Sequence, residues 1–182
     1  MMNEQDEVLV RRCLDGDRQA FSELIDKYQK AIFNVALRLT GDYDDARDVA
    51  QTVFIRVYER LRDYDPKFKF FSWIYKMTLN ESLNRIDRRK RTTTLTETME
   101  SADRGPDERL EEKDMQEAVQ DAIEELPIDG RVLLILRHFA ELSYRELGYI
   151  LDIPEKTVKS RLFSARQRLG EIIRKQGVIQ YD

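Results

Sequence analysis

The chain has 182 residues, of which 41% are hydrophobic and 36% are charged, and its net charge is −4 at neutral pH. This length suits one large domain or two small ones, and we expect neither a membrane-spanning segment nor a secretory signal. One cysteine, Cys13, excludes an internal disulfide framework, and one histidine, His138, argues against a Cys/His zinc site. Without a phosphate loop or a nucleophile–base set, no metal or cofactor is expected.

An all-α fold is predicted because apolar and polar residues do not alternate over any long stretch. In the first half, apolar residues at three- and four-residue steps predict helices over about residues 4–14, 18–39 and 43–61. Thr40-Gly41 ends the second helix, since glycine suits a left-handed cap. A fourth helix is predicted to follow Phe70 and to continue to the basic cluster that ends at Arg91.

Aromatic rings and lysines alternate from Arg62 to Lys76, on both sides of the start of the fourth helix. The part up to Phe70 is predicted to be non-helical because Asp65-Pro66 breaks the third helix. Rings among lysines suit single-stranded nucleic acid, because rings stack on bases and ammonium groups contact phosphates. Phe71 and Ile74 are assigned to packing and Trp73 to the boundary between packing and binding. The candidates for binding are Lys67, Lys69, Phe70, Trp73 and Lys76.

Residues 92–114 are predicted to be a flexible linker between a first domain (1–91) and a second (115–182). They contain Gly-Pro, many acids and almost no apolar residues. Residues 66–95 carry eight Lys and Arg against two Asp and Glu, whereas residues 96–130 carry three against thirteen and residues 131–182 ten against six. Two basic segments around an acidic one predict two DNA-facing surfaces. The acidic segment is expected to compete with DNA for both in the free protein.

The second domain is predicted to end in a helix-turn-helix spanning Leu142–Leu169. Ser143 suits the N-cap of the first helix, and Asp152-Ile153-Pro154 suits the turn. In the second helix Val158, Leu162, Ala165 and Leu169 form one apolar stripe. The opposite face has the polar, basic and aromatic side chains that base edges and phosphates require: Lys156, Thr157, Lys159, Ser160, Phe163, Ser164 and Gln167. Spacing alone fits an ordinary amphipathic hairpin with a solvated basic face equally well.

Three segments together resemble the extracytoplasmic-function (ECF) group of the bacterial sigma-70 family. They are residues 20–61, 70–91 and 126–169, in the order and at the spacing of that family. The resemblance implies an RNA polymerase sigma factor that is cytoplasmic, is not an enzyme and has no small-molecule substrate. It implies that the partners are core RNA polymerase, through its largest-subunit coiled coil and its flap, promoter DNA and an anti-sigma factor.

The resemblance also implies roles for individual residues. The third helix corresponds to the surface that binds core polymerase, through Asp48, Gln51, Phe54 and Tyr58. The stretch Lys67–Trp73 and the helix after it correspond to the part that melts and recognises minus-10 DNA, with further contacts from Lys76, Asn80, Asn84, Arg85 and Arg88. The recognition helix corresponds to the part that recognises the minus-35 element, with Lys159, Ser160 and Phe163 at bases and Arg137 and Arg166 at phosphates.

Two rival functions are weighed against the sigma-factor prediction. A helix-turn-helix regulator that acts without polymerase accounts for Leu142–Leu169 but not for the rings and lysines of Lys67–Arg91. A nucleic-acid enzyme needs a carboxylate cluster for a metal ion, and the one candidate cluster is Asp42, Asp44, Asp45 and Asp48. A charged start to the third helix explains the same four residues, because acidic side chains are favoured there.

Overall fold

The computed structural model of the chain describes residues 4–95 and 118–176, and this part of the chain is helical without a strand. The all-α prediction is confirmed. The first half contains α1 (Glu4–Leu14), α2 (Arg18–Thr40), α3 (Tyr43–Arg60), a 3-10 turn at Leu61–Asp63 and α4 (Phe70–Leu95). The second half contains α5 (118–124), α6 (Ile128–His138), α7 (Tyr144–Leu151) and α8 (Glu155–Gln176). No helix within these two ranges is long and apolar enough to cross a membrane.

The first half is a helical bundle in which α2, α3 and α4 share one core. Each contributes a stripe of buried side chains, such as Leu24, Val53 and Ile74, which are all almost fully inaccessible to solvent. The α1 helix is attached to this bundle through Asp6, which is buried and accepts hydrogen bonds from Lys27 Nζ and Tyr28 Oη at 2.6 Å each. Burial and the bond to Asp6 raise the pKa of Tyr28.

The helix ends in this bundle follow from short polar residues and one glycine. The Asp17 carboxylate caps α2 by accepting from the backbone N–H groups of Gln19 and Ala20, a cap that was not predicted from the sequence. Gly41 ends α2 with a φ of 68°, and its N–H donates to Leu37 O, as predicted. Asp42 caps α3 by accepting from the N–H of Asp45.

The second half contains the predicted helix-turn-helix, formed by α7 and α8 against α6. Ser143 caps α7 in a reciprocal arrangement with Glu146, whose carboxylate accepts from Ser143 N and Oγ. The turn residue Asp152 has a φ of 55°, in the left-handed region that Asp tolerates. Gly148 allows the close approach of this turn, since a Cβ there would lie 2.9 Å from Ile153 O.

The predicted boundary after residue 91 falls inside α4, which continues to Leu95. The start of the predicted flexible linker, residues 92–95, is therefore helical. The rest of that linker, and the expected competition of its acidic residues with DNA, lie outside the described residues.

The described residues of the two halves contact each other at two places. At the first, α4 and the loop before it meet α7, where the Phe68 and Tyr149 rings stack with centroids 3.9 Å apart. At the second, the end of α2 meets α5 and α6, where the Arg38 guanidinium lies 3.6 Å from the centroid of the Phe139 ring. Arg38 Nη1 also donates to Gln120 Oε1 at 3.2 Å. The described parts of the two halves therefore form a closed arrangement.

Candidate nucleic-acid interface

The α8 helix presents one apolar face to the core and one polar face to solvent, as its sequence pattern predicts. Val158, Leu162 and Ala165 are buried against α6 and α7. On the opposite side Phe163 has 63% of its surface exposed, next to the exposed Ser160. Lys156 and Ser164 are exposed too, while Thr157 is half-buried. A rigid helix with this face is the arrangement that enters a major groove.

Three basic side chains around this face, Lys159, Arg166 and Arg137, have different partners within the protein. Lys159 pairs with Glu155 across one helical turn at 3.0 Å. Arg166 lies with Nη2 3.3 Å from His138 Nε2, and burial together with Arg166 and Arg137 lowers the pKa of His138. Arg137 donates through Nη1 to Leu142 O at 2.8 Å, so it supports the connection between α6 and α7. Of the two arginines predicted to contact phosphate, Arg166 is thus the exposed one and Arg137 is half-buried.

Phe70, a predicted base-stacking ring, lies in the core with 2% of its surface exposed. Its centroid is 5.7 Å from that of Tyr28, 5.5 Å from that of Tyr64 and 5.8 Å from that of Trp73. Phe70 begins α4, so it shares the buried side of that helix with Ile74. The expectation for Phe70 therefore has to be changed, because its ring has no face available for a base. Trp73 is half-buried in the same ring cluster.

Phe68 is the ring that this loop exposes, at 39% of its surface; it lies in the predicted stretch Lys67–Trp73 but is not among the individual residues predicted to bind DNA. Tyr64 holds the loop here by donating from Oη to Phe68 O at 2.6 Å. Lys67 beside it is exposed, and its backbone N–H donates to Asp65 Oδ1. The position of the helix start could have identified Phe68 as the exposed ring. Phe68 precedes the first residue of α4, so it does not belong to the inward-facing stripe of that helix.

The polar face of α4 continues from this loop. Asn80, Asn84 and Arg88 are exposed and recur every four residues, so they lie in one row along the helix, with the half-buried Lys76 one turn before them. Arg85 leaves this row and faces α3. Its Nε donates to Asp45 Oδ1 at 2.6 Å and its Nη2 to Asp48 Oδ2 at 2.8 Å. The bond to Asp45, with the charges of both carboxylates, raises the pKa of Arg85.

The outer face of α3 contains the residues predicted to bind polymerase. Gln51 and Tyr58 are exposed, the latter at 62% of its surface. Phe54 packs against the core instead, whereas Ile55, which is not among the predicted contacts, has 51% of its surface exposed. Asp48 is half-buried and paired with Arg85. The exposed apolar groups on this face are therefore Ile55 and Tyr58.

Family models match most of the chain that carries these surfaces. Residues 24–92, which include α3, the loop and most of α4, match the model of sigma-70 region 2. Residues 116–169, which include the helix-turn-helix, match the model of sigma-70 region 4. The chain belongs to the ECF group of the sigma-70 family. It is an RNA polymerase sigma factor, as the sequence analysis expected.

Curated relatives match this sigma factor over nearly its whole length. The RNA polymerase sigma-H factor of Pseudomonas aeruginosa is 31% identical, over 95% of this chain and 96% of its own. SigW, an ECF sigma factor of Bacillus subtilis, is 30% identical over 91% of this chain and 95% of its own. The ECF sigma-E factor of Escherichia coli strain K12 is 32% identical over 92% and 95%.

Two solved structures share the fold of this sigma factor. CnrH, solved in complex with the cytosolic domain of CnrY, has a TM-score of 0.74 and is 21% identical, over 94% of this chain and 99% of its own. RpoE of Bartonella quintana, solved with the anti-sigma factor NepR, has a TM-score of 0.70 and is 23% identical, over 85% and 96%.

Proposed function

We propose that this sigma factor directs core RNA polymerase to promoters through two DNA surfaces of different kinds. The exposed face of α8, with Lys156, Ser160 and Phe163, recognises the minus-35 duplex. The loop before α4, with Phe68 and Lys69, holds melted minus-10 DNA, and the polar row of α4 extends that surface. The observation that carries this proposal is that one chain has both an exposed groove-sized helix face and an exposed ring next to lysines.

The physical chemistry of melting favours this division. Extruding a base from a duplex costs a few kcal/mol. Stacking on an aromatic ring returns roughly 1–3 kcal/mol per base, so an exposed ring beside ammonium groups stabilises opened DNA. Phe68 replaces Phe70 in this role because its ring is accessible. Arg85 contributes by holding α4 against α3, while Asn80, Asn84 and Arg88 contact DNA.

Core polymerase is the partner that we assign to the outer face of α3. Exposed apolar side chains next to polar ones are typical of protein interfaces, and Ile55 and Tyr58 supply them here beside Gln51. The polymerase carries out the chemistry, so the chain itself is not an enzyme and needs no cofactor or small-molecule substrate. We place it in the cytoplasm, where its polymerase acts.

An anti-sigma factor is proposed as a further partner. The relatives CnrH and RpoE were solved with the cytosolic domain of CnrY and with the anti-sigma factor NepR, and this chain shares their fold. We also propose that the chain divides into a region 2 domain, which ends with α4, and a region 4 domain, which begins near residue 115. This moves the first boundary of the sequence analysis from residue 91 to Leu95.

The contacts of four aspartates count against a metal-dependent nucleic-acid enzyme. Asp42 caps α3, and Asp44 pairs with Arg47 at 3.1 Å. Asp45 and Asp48 pair with Arg85. Each carboxylate thus has a structural partner, which supports their interpretation as a helix start. A regulator that acts without polymerase leaves the exposed ring and lysines of the loop without a function.

Initiation with reconstituted holoenzyme tests the proposal. Promoters are first selected from a genomic library by the holoenzyme. The Phe68→Ala/Lys69→Ala variant is then expected to form open complexes at least tenfold more slowly on closed promoters, and a pre-melted minus-10 bubble is expected to restore the rate. Tyr43→Ala/Lys30→Ala, which removes an exposed ring and an exposed lysine outside the loop, serves as the matched control. Equal defects on closed and pre-melted templates would reject the melting role, and wild-type transcription that is independent of the promoter would reject the function.

A further inference from the structure

The melted-DNA surface is in contact with the helix-turn-helix of the same chain. The Phe68 ring stacks on the Tyr149 ring of α7, with centroids 3.9 Å apart and an interplanar angle of 18°. Lys69 Nζ lies 2.6 Å from Glu146 Oε1, also on α7. Lys76 Nζ donates to Tyr149 O at 3.3 Å and lies 4.9 Å from the centroid of the Tyr149 ring. Two side chains of α7 thus contact a ring and two lysines of the proposed minus-10 surface.

These contacts imitate the way the loop is proposed to hold DNA. Tyr149 occupies one face of Phe68 in the parallel geometry that a base adopts on a ring. The Glu146 carboxylate pairs with the Lys69 ammonium group, as a phosphate oxygen of DNA would. Although burial raises the pKa of a carboxyl group, the hydrogen bonds from Lys69 and Ser143 outweigh it and lower the pKa of Glu146. The Glu146 carboxylate therefore stays ionised at neutral pH.

The closed arrangement is too short to occupy a promoter. The minus-10 and minus-35 elements lie about 25 base pairs apart, which is about 80–90 Å along the duplex at ~34–36 Å per turn. In the closed arrangement Lys69 touches α7, and α7 packs on α8. The α8 helix has 22 residues and is about 33 Å long. The loop and α8 cannot reach both elements until α7 separates from the loop.

We propose that Glu146 and Tyr149 form an intramolecular latch, which covers the minus-10 surface of the free protein and opens when core polymerase and promoter DNA hold the two halves apart. This inference rests on the assignment of Phe68 and Lys69 to melted DNA. Only molecules with an open latch can bind single-stranded DNA. The apparent affinity of the free chain therefore equals the affinity of the open form multiplied by the fraction of molecules in which the latch is open.

Lysine acetylation of the free protein, followed by mass spectrometry, measures the latch without DNA. Lys67 is exposed two residues from Lys69 and serves as the internal reference. The Glu146→Gln/Tyr149→Ala variant is expected to raise the acetylation rate of Lys69 about tenfold relative to Lys67, which corresponds to ~1.4 kcal/mol. Adding core polymerase to the wild-type chain is expected to raise it in the same direction.

Two further variants keep this measurement interpretable. Glu146→Gln alone keeps a side-chain oxygen that can accept from Ser143 at the start of α7 and removes the charge that holds Lys69, so its fold is preserved even where Tyr149→Ala disturbs packing. Glu171→Gln removes the same charge from an exposed position on α8 and is expected to leave Lys69 unchanged. Acetylation of Lys69 at the rate of Lys67 in the wild type, or an unchanged rate in both Glu146 variants, would overturn the latch.

Binding of a fluorescent dT20 oligonucleotide to the free chain tests whether the latch masks DNA. The double variant is expected to bind about tenfold more tightly than the wild type, and Glu171→Gln to bind as the wild type does. A Lys69 that becomes reactive without a gain in dT20 affinity would overturn masking. Failure of the minus-10 assignment itself is detected separately, because holoenzymes with wild-type and Phe68→Ala/Lys69→Ala chains would then open promoters equally fast.

Discussion

The two proposed DNA surfaces of this sigma factor differ in what covers them when no DNA is bound. On α8, Phe163 has 63% of its surface exposed, and Ser160 beside it is exposed as well. In the loop before α4, Phe68 has 39% of its surface exposed, with one face stacked on Tyr149, and Lys69 is paired with Glu146. One surface is open, whereas the other is occupied by protein.

The chemistry of the two targets explains this difference. A duplex presents base edges and phosphates along a groove, so a helix that recognises them presents mostly polar and basic side chains, which water solvates well. Melted DNA presents the faces of bases, so a loop that binds them needs exposed ring faces and cations. Ring faces pack readily on other rings, and lysines pair with carboxylates. A surface for melted DNA is therefore more easily occupied by its own chain than a surface for duplex DNA.

The largest expected effect separates Phe70, which begins α4, from Phe68 in the loop before it. Phe70→Ala is expected to destabilise the protein by about 3–5 kcal/mol, since it leaves a cavity among Tyr28, Tyr64 and Trp73. Phe68→Ala is expected to cost less than about 1.5 kcal/mol, because it removes mainly a ring contact. Chemical denaturation of both variants measures this. Similar losses of stability would show that Phe68 is a packing residue and would end the contrast between the two surfaces.

A smaller effect is expected at the turn that makes the α8 surface rigid. Gly148 O accepts from the N–H groups of Asp152 and Ile153, and a Cβ at Gly148 would press on Ile153 O. Gly148→Ala is expected to cost about 1–3 kcal/mol and to weaken holoenzyme binding at minus-35 more than at a pre-melted minus-10 bubble. The bubble serves as the control within the same variant. Unchanged stability would mean that the turn adjusts to the added methyl group at no cost in free energy. The rigidity of this turn would then not distinguish the α8 surface from the loop surface.

The smallest effect is expected on the α8 face itself. Ser160→Ala is expected to lose roughly 1 kcal/mol at one base pair of the minus-35 element, and Phe163→Ala to change preference at a neighbouring pair. Arg166→Ala is the comparison, because loss of a phosphate contact weakens binding to all sequences alike. Holoenzyme binding to a set of singly substituted promoters measures these preferences. An unchanged preference in the Ser160 variant would place base contacts elsewhere on the motif.

Helices and their ends were predictable from the sequence because local rules determine them. The three- and four-residue spacing gave α1 without error and α2 and α3 to within one residue, and Gly41 and Ser143 are caps as expected. The loop was harder, because a non-helical segment has no fixed period that separates inward from outward rings. Phe70 was therefore chosen where Phe68 is exposed.

Contacts between distant residues were outside the reach of the sequence. Lys69 and Glu146 are 77 positions apart, and no local pattern links them. Arg85 is similar, since its position in a basic helix favours DNA binding, whereas its partners Asp45 and Asp48 lie about 40 positions earlier on another helix. The end of α4 was missed because three consecutive threonines suggested a break, while the helix continues to Leu95.

The Arg85 contacts complicate the genetics of polymerase binding. Asp48 belongs to two sets of contacts. It lies on α3, the helix assigned to the polymerase, and it pairs, together with Asp45, with Arg85 of α4. A substitution at Asp48 alters the docking face and, at the same time, loosens the helix assigned to minus-10 DNA. Suppressors of such a mutant would then arise on either partner, in the polymerase or in α4. Gln51 is exposed one turn further along α3, so a substitution there is expected to change the polymerase contact without loosening α4.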